Sequence, residues 1–100
     1  MTKSKLSPTK ALAVKVSYAA LSILKDNGGE MPMRDLMDRV ENQVELTEWD
    51  KERYEKTGYI RWQSVLHFYS IDFVKAGYLR KKQAVWYLTP EGEEALKLGP

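Results

Sequence analysis

The amino-acid sequence predicts a mainly α-helical fold with a small β-hairpin, and three observations carry that prediction. Apolar residues recur at three- and four-residue steps in long stretches, as in Leu12, Val16, Ala20 and Leu24 and again in Trp62, Val65, Leu66, Tyr69 and Phe73. The second of these stretches is closed by Gly77. Two β-rich runs follow at once, Tyr78-Leu79-Arg80-Lys81 and Val85-Trp86-Tyr87-Leu88. A helix stopped by glycine and followed directly by a hairpin is the core of a winged helix-turn-helix.

Residues Met1 to Leu6 read as a flexible basic leader, and residues 7–100 as a single winged-helix domain. Ser7 caps the first helix and Pro8 occupies its first position, where a missing N–H costs nothing. Asn27-Gly28-Gly29 ends that helix, because these residues tolerate positive φ. Glu30-Met31 fits only a brief β-bridge. Pro32 starts a second helix, with Leu36, Met37 and Val40 turned inward. Thr47 caps a third helix expected to run to Lys56, and Thr47 with Asp50 has the spacing of a capping box. Trp49 and Tyr54 are its apolar anchors, and Thr57-Gly58 breaks it.

The fourth helix spans Ile60 to Ala76 and is the most apolar. The hairpin after it is expected to turn through Lys82-Gln83-Ala84. Thr89-Pro90-Glu91-Gly92 opens a last helix, with acids in its first turn where the helix dipole favours them.

Composition narrows the function. With 100 residues the chain can bury one core and little else. It has no cysteine and one histidine, which excludes disulfides and leaves no recognisable metal-ligand set. Paired catalytic carboxylates, a phosphate-cradling glycine loop and a nucleophile elbow are all missing, so no enzymatic activity and no cofactor are expected of this chain. No apolar run approaches the ~20 residues that span a bilayer, and the basic N-terminus has no secretory core, so a cytoplasmic location without membrane contact is expected.

Net charge is only +2, but its distribution is uneven. Lysines stand alone from Met1 to Lys25, acids dominate from Glu41 to Glu55, and Lys75, Arg80, Lys81 and Lys82 again have no acid among them. A polyanion would meet the first and third segments and avoid the second.

These patterns assign candidate nucleic-acid contacts. In a winged helix the helix before the hairpin enters the major groove of duplex DNA and the wing lies beside it on the backbone. Arg61 can donate two hydrogen bonds to a guanine edge, and Gln63 can pair with adenine. Trp62 sits in the same first turn, although its place on the apolar stripe favours the core. Ser64 and His67 follow one turn later, and Arg80, Lys81, Lys82 and Gln83 form the wing's contribution, mainly to phosphates.

The stretch from Leu46 to Leu96 resembles the N-terminal domain of Mrr-type restriction proteins. The likeness is carried by Leu46-Thr47 opening an acidic helix, Gly58 before an arginine-bearing helix, Lys75-Ala76-Gly77-Tyr78-Leu79, Val85-Trp86-Tyr87-Leu88 and Thr89-Pro90-Glu91-Gly92. The resemblance implies a DNA-reading module that works with a separate nuclease domain of the PD-D/E-x-K kind, and some relatives act on modified DNA. No such nuclease lies within these residues, so it is expected on a separate segment. Two alternatives stay open on the residues alone: a protein-interaction or homodimerisation module, which the near-neutral charge and the acidic segment suit, and a stand-alone winged-helix transcriptional regulator.

Overall fold

The structure is a computed structural model that describes residues 7–99. The proposed leader, Met1 to Leu6, lies outside the described residues.

The first helix, α1 (Pro8–Asp26), begins as its sequence requires: the Ser7 hydroxyl accepts the Lys10 N–H at 3.2 Å, and Pro8 follows the cap. It stops where Gly28, at φ 81°, lets the Gly29 N–H fold back to the Leu24 carbonyl at 2.7 Å. The chain then pairs as β1 (Glu30–Pro32), a strand rather than a bare bridge, and turns into α2 (Met33–Gln43).

The third helix, α3 (Glu48–Lys51), is much shorter than expected. Its capping box is present, with Thr47 and Asp50 exchanging hydrogen bonds at 3.1 and 2.9 Å. Past Lys51 the sequence offers no apolar stripe to pack, and Glu52 turns extended (ψ 149°). The chain instead doubles back through Gly58, with the Tyr54 N–H on the Tyr59 carbonyl at 2.9 Å and an isolated bridge between Arg53 and Ile60.

The fourth helix, α4 (Arg61–Lys75), then leads through Gly77 into β2 (Leu79–Lys82) and β3 (Val85–Leu88), and α5 (Pro90–Leu96) closes the described chain. The strands form one antiparallel sheet in the order β1-β3-β2. The core lies between α1, α2, α4 and the inner face of this sheet, and is filled by Leu24, Leu36, Leu66, Leu79 and the indoles of Trp62 and Trp86.

Strand β2 starts and ends one residue later than expected, and because it takes in Lys82 the hairpin loop is only Gln83-Ala84. Both residues have positive φ, 49° and 66°, the signs of a type I′ turn, which matches strand twist but disfavours residues with a Cβ. The turn is held from outside: the Ala84 carbonyl accepts the Met33 N–H at 2.7 Å, which seats the wing tip on the start of α2.

The start of α5 is equally constrained. The Thr89 hydroxyl donates to the Gly77 carbonyl (2.6 Å) and accepts the Gly92 N–H (2.9 Å), so one side chain joins the end of α4 to the start of α5. Gly92 is buried against the Tyr78 carbonyl and the Leu88 side chain, with no room for a Cβ. Gly92→Ala is therefore expected to destabilise the domain by about 1–3 kcal/mol through overpacking, read as a lower urea midpoint. Ala84→Gly should act oppositely, raising stability by about 0.5–1 kcal/mol by relieving the left-handed position.

Candidate nucleic-acid interface

Packing of α4 decides which of its residues can meet a ligand. Trp62, Val65, Leu66 and Ser70 are buried, so the opposite side of the helix faces out. That outer side carries Ser64, Phe68, Ile71 and Lys75 at helical spacing. Phe68 and Ile71 are 66% and 48% exposed. They were missed by the sequence reading, which sought the apolar stripe and did not ask about apolar residues left over from it.

Trp62 takes the core place that its stripe favoured and drops out of the candidate contacts. At 1% exposure its indole belongs to the core and cannot approach a nucleic acid. Arg61 is also not free. Its guanidinium donates to the Trp49 carbonyl at 2.6 Å and to the Glu52 carboxylate at 2.9 Å. It lies 4.1 Å from the Trp49 ring centre and 5.4 Å from that of Tyr54. The hydrogen bond to Glu52 strengthens its hold on its proton. Arg61 thus bolts the segment between α2 and α4 to the first turn of α4, and the open base-reading donor expected there is engaged within the fold.

The wing cations divide by face. Cross-strand pairs Arg80–Tyr87 and Lys81–Trp86 put neighbouring residues on opposite sides of the sheet. Lys81 is on the inner side: its ammonium donates to the buried Ser70 hydroxyl at 2.6 Å and lies 4.4 Å from the Trp86 ring centre. Partial burial lowers its pKa. Arg80 and Lys82 fall on the outer side and are exposed, as is Gln83 at the tip. With Val74, Tyr87, Thr89 and Glu91, these two cations border an open groove of about 880 Å³, which the exposed Lys81 also lines.

His67 completes the junction between α4 and the wing. Its ring stands edge-on to Trp86 at 5.5 Å between centroids. Burial, and next the nearby Lys81 ammonium, push its pKa below the ordinary value. A neutral imidazole is poorly suited to a phosphate. Gln63 and Ser64 remain half-exposed at the N-terminal end of α4.

The acidic segment is anchored on its other side by α1. Lys15 donates to the Asp50 carboxylate at 2.9 Å and to the Glu45 carbonyl at 3.0 Å. Burial alone would raise the pKa of Asp50, but the Thr47 N–H and Lys15 outweigh it and hold the carboxyl below its ordinary range. Lys15 therefore serves the fold and is withdrawn from any polyanion-facing set. Among the described residues, no cluster of side chains has the make-up of a metal site, and no helix is long and apolar enough to cross a membrane.

Helices α1, α2 and α4 with a three-stranded sheet whose hairpin follows α4 define a winged-helix domain. Residues 15–98 match the family model described as the Mrr N-terminal domain, and the chain belongs to that family, a domain of Mrr-type restriction systems. Comparison with curated proteins and with solved structures gave no match.

Because the folded state disfavours protonated His67, the unfolded chain takes up that proton first as pH falls. Stability should hold above about pH 6.5, decline as pH drops through that unfolded-state value, and level off below the folded-state pKa. His67 is the one histidine of the chain, so an NMR titration of its ring checks the premise directly. A midpoint at or above about 6.5 would contradict the packing described.

Proposed function

We propose that this domain holds duplex DNA as the recognition module of a restriction system, with α4 toward the major groove and the wing on the backbone. The observation that carries the reading is the pair of uncommitted cations, Arg80 and Lys82, on the outer face of the wing beside the open side of α4. Membership of the Mrr N-terminal family supports it. Two exposed cations on adjacent same-face positions of a strand suit successive phosphates, which set affinity and register.

Sequence reading falls to the polar N-terminal part of α4, where Gln63 and Ser64 can present hydrogen-bonding groups to base edges. Gln83 at the wing tip is a further polar contact. Arg61 acts indirectly, by holding the first turn of α4 in place, unless DNA draws it from Glu52. Whether a modified base is preferred is decided by the same contacts, and strand cutting belongs to a separate nuclease domain.

The test is a binding titration of the whole chain on random and selected duplexes, with and without methylated cytosine, over a range of salt. Arg80→Ala with Lys82→Ala should weaken binding to every duplex and reduce the log–log salt slope by about two. Gln63→Ala should cost about 1–3 kcal/mol on the preferred site and leave that slope alone. Lys81→Ala should lower stability and change the slope least of the three wing cations. No binding to any duplex at low salt and about tens of micromolar protein would overturn the reading. It would favour a protein-interaction module, for which the exposed Phe68 and Ile71 offer a surface.

A further inference from the structure

Phe68 and Ile71 lie at the centre of the outer side of α4, opposite the buried Trp62, Leu66 and Ser70. At 66% and 48% exposure, much of their apolar surface adds no packing to the fold. Three residues apart on a helix, they are surface neighbours, a joined pair and not scattered exposures. The Phe68 ring stands edge-on to Tyr69 at 5.5 Å between centroids, which limits the orientations it takes. The groups around the pair select what meets it. Ser64 stands one turn before it and the exposed Lys75 one turn after it. Val74, three residues past Ile71, borders the same groove as Arg80 and Lys82. Cations therefore stand on the C-terminal side of the pair, as a polyanion requires. The one acid of α4, Asp72, is exposed beside it. A carboxylate there repels a phosphate but can accept from a cytosine amino group, which suits this stretch to base edges rather than to the backbone. The pair exposes on the order of 200 Å², a small part of the ~800 Å² that a specific protein partner buries on each side.

We infer that Phe68 and Ile71 read thymine, each packing on a 5-methyl group in the major groove. The assignment deepens the DNA reading and rests on it, because it takes α4 to be the helix in that groove. The thymine methyl is the one apolar group that an unmodified base pair presents there, and an apolar side chain is its ordinary partner. A polar side chain at either position would form the same helix but would leave the methyl without a contact. The two residues are about 4.5 Å apart along the helix axis, close to the ~3.4 Å step between base pairs. They can therefore serve thymines on the same pair of strands at one position or at two neighbouring ones. Specificity then comes from two parts of one helix face: hydrogen bonds from Gln63 and Ser64 in the first turn, and methyl contacts from Phe68 and Ile71 further along.

The test is a selection of the full chain on random duplexes, followed by titration of the selected duplex with its thymines replaced singly by deoxyuridine, which removes the methyl group and nothing else. The selected site should carry thymine, and each methyl removed at a read position should weaken binding about three- to five-fold. Phe68→Ala and Ile71→Ala should each bind the thymine and deoxyuridine forms equally at one read position, with the salt slope unchanged. Both side chains are exposed enough for these variants to keep the fold, which far-UV circular dichroism checks. Arg80→Ala with Lys82→Ala should weaken both forms and keep the discrimination between them. A selected site without thymine, equal binding of the thymine and deoxyuridine duplexes, or discrimination that survives the double variant Phe68→Ala with Ile71→Ala would overturn the inference and leave the DNA reading standing. Absence of binding to every duplex would overturn both.

Discussion

The indole of Trp86 is the contact on which the orientation of the wing depends. It sits on β3, the central strand, with Met31 of β1 opposite it on one side and Lys81 of β2 on the other. His67 meets it edge-on from α4, and the Lys81 ammonium lies over its face while reaching Ser70 of the same helix. A two-stranded ribbon of this length is marginal by itself. Here β1, α4 and the start of α2 each hold it through a different group, so the outer-face cations are presented from a rigid support.

That arrangement explains why cations crowded in sequence do unlike work. Lys81 lies between Arg80 and Lys82 in the chain, but alternation along the strand sends it to the opposite face. There its ammonium is engaged by Ser70 and the Trp86 ring, although the residue as a whole stays exposed. Three adjacent charges also keep the free edge of β2 from pairing with another strand. Arg61 follows the same logic on α4: it stands at the helix start beside the acidic segment, and Glu52 and the Trp49 ring capture it.

Much of the architecture was legible in the sequence because it is written in local chemistry. Ser7-Pro8, Asn27-Gly28-Gly29, Thr47 with Asp50, Gly77 and Thr89-Pro90 each mark a helix end through a cap or a required φ, independent of anything distant. The site was less legible because it depends on register and long-range capture. A turn of Gln83-Ala84 lacks the glycine or asparagine that announces a type I′ hairpin, so the sequence suggested a longer loop and a strand one residue early. In a strand, one residue decides which face a side chain takes. The capture of Arg61 depends on a loop that folds back, and charge runs alone do not reveal such a fold. Trp62 could be read from its stripe, and its burial follows the periodicity rather than the chemistry of its neighbours.

The inserted segment between α2 and α4 then has a physical role. An acidic stretch beside α4 would repel a phosphate backbone brought to that helix if its charges stood free. Two of its acids are neutralised by pairing in opposite directions, Asp50 by Lys15 of α1 and Glu52 by Arg61 of α4. The Asp50 pair is largely buried on the carboxylate side, so salt screens it less than it screens an exposed pair. The segment therefore works as a strap whose ends are fastened to both helices, and its fastening charges contribute little net field at the face where a nucleic acid would dock. Loosening the Arg61–Glu52 fastening would free an acid beside α4 and release the first turn of that helix together, so the stability of the strap and the charge at that face are one property of this fold.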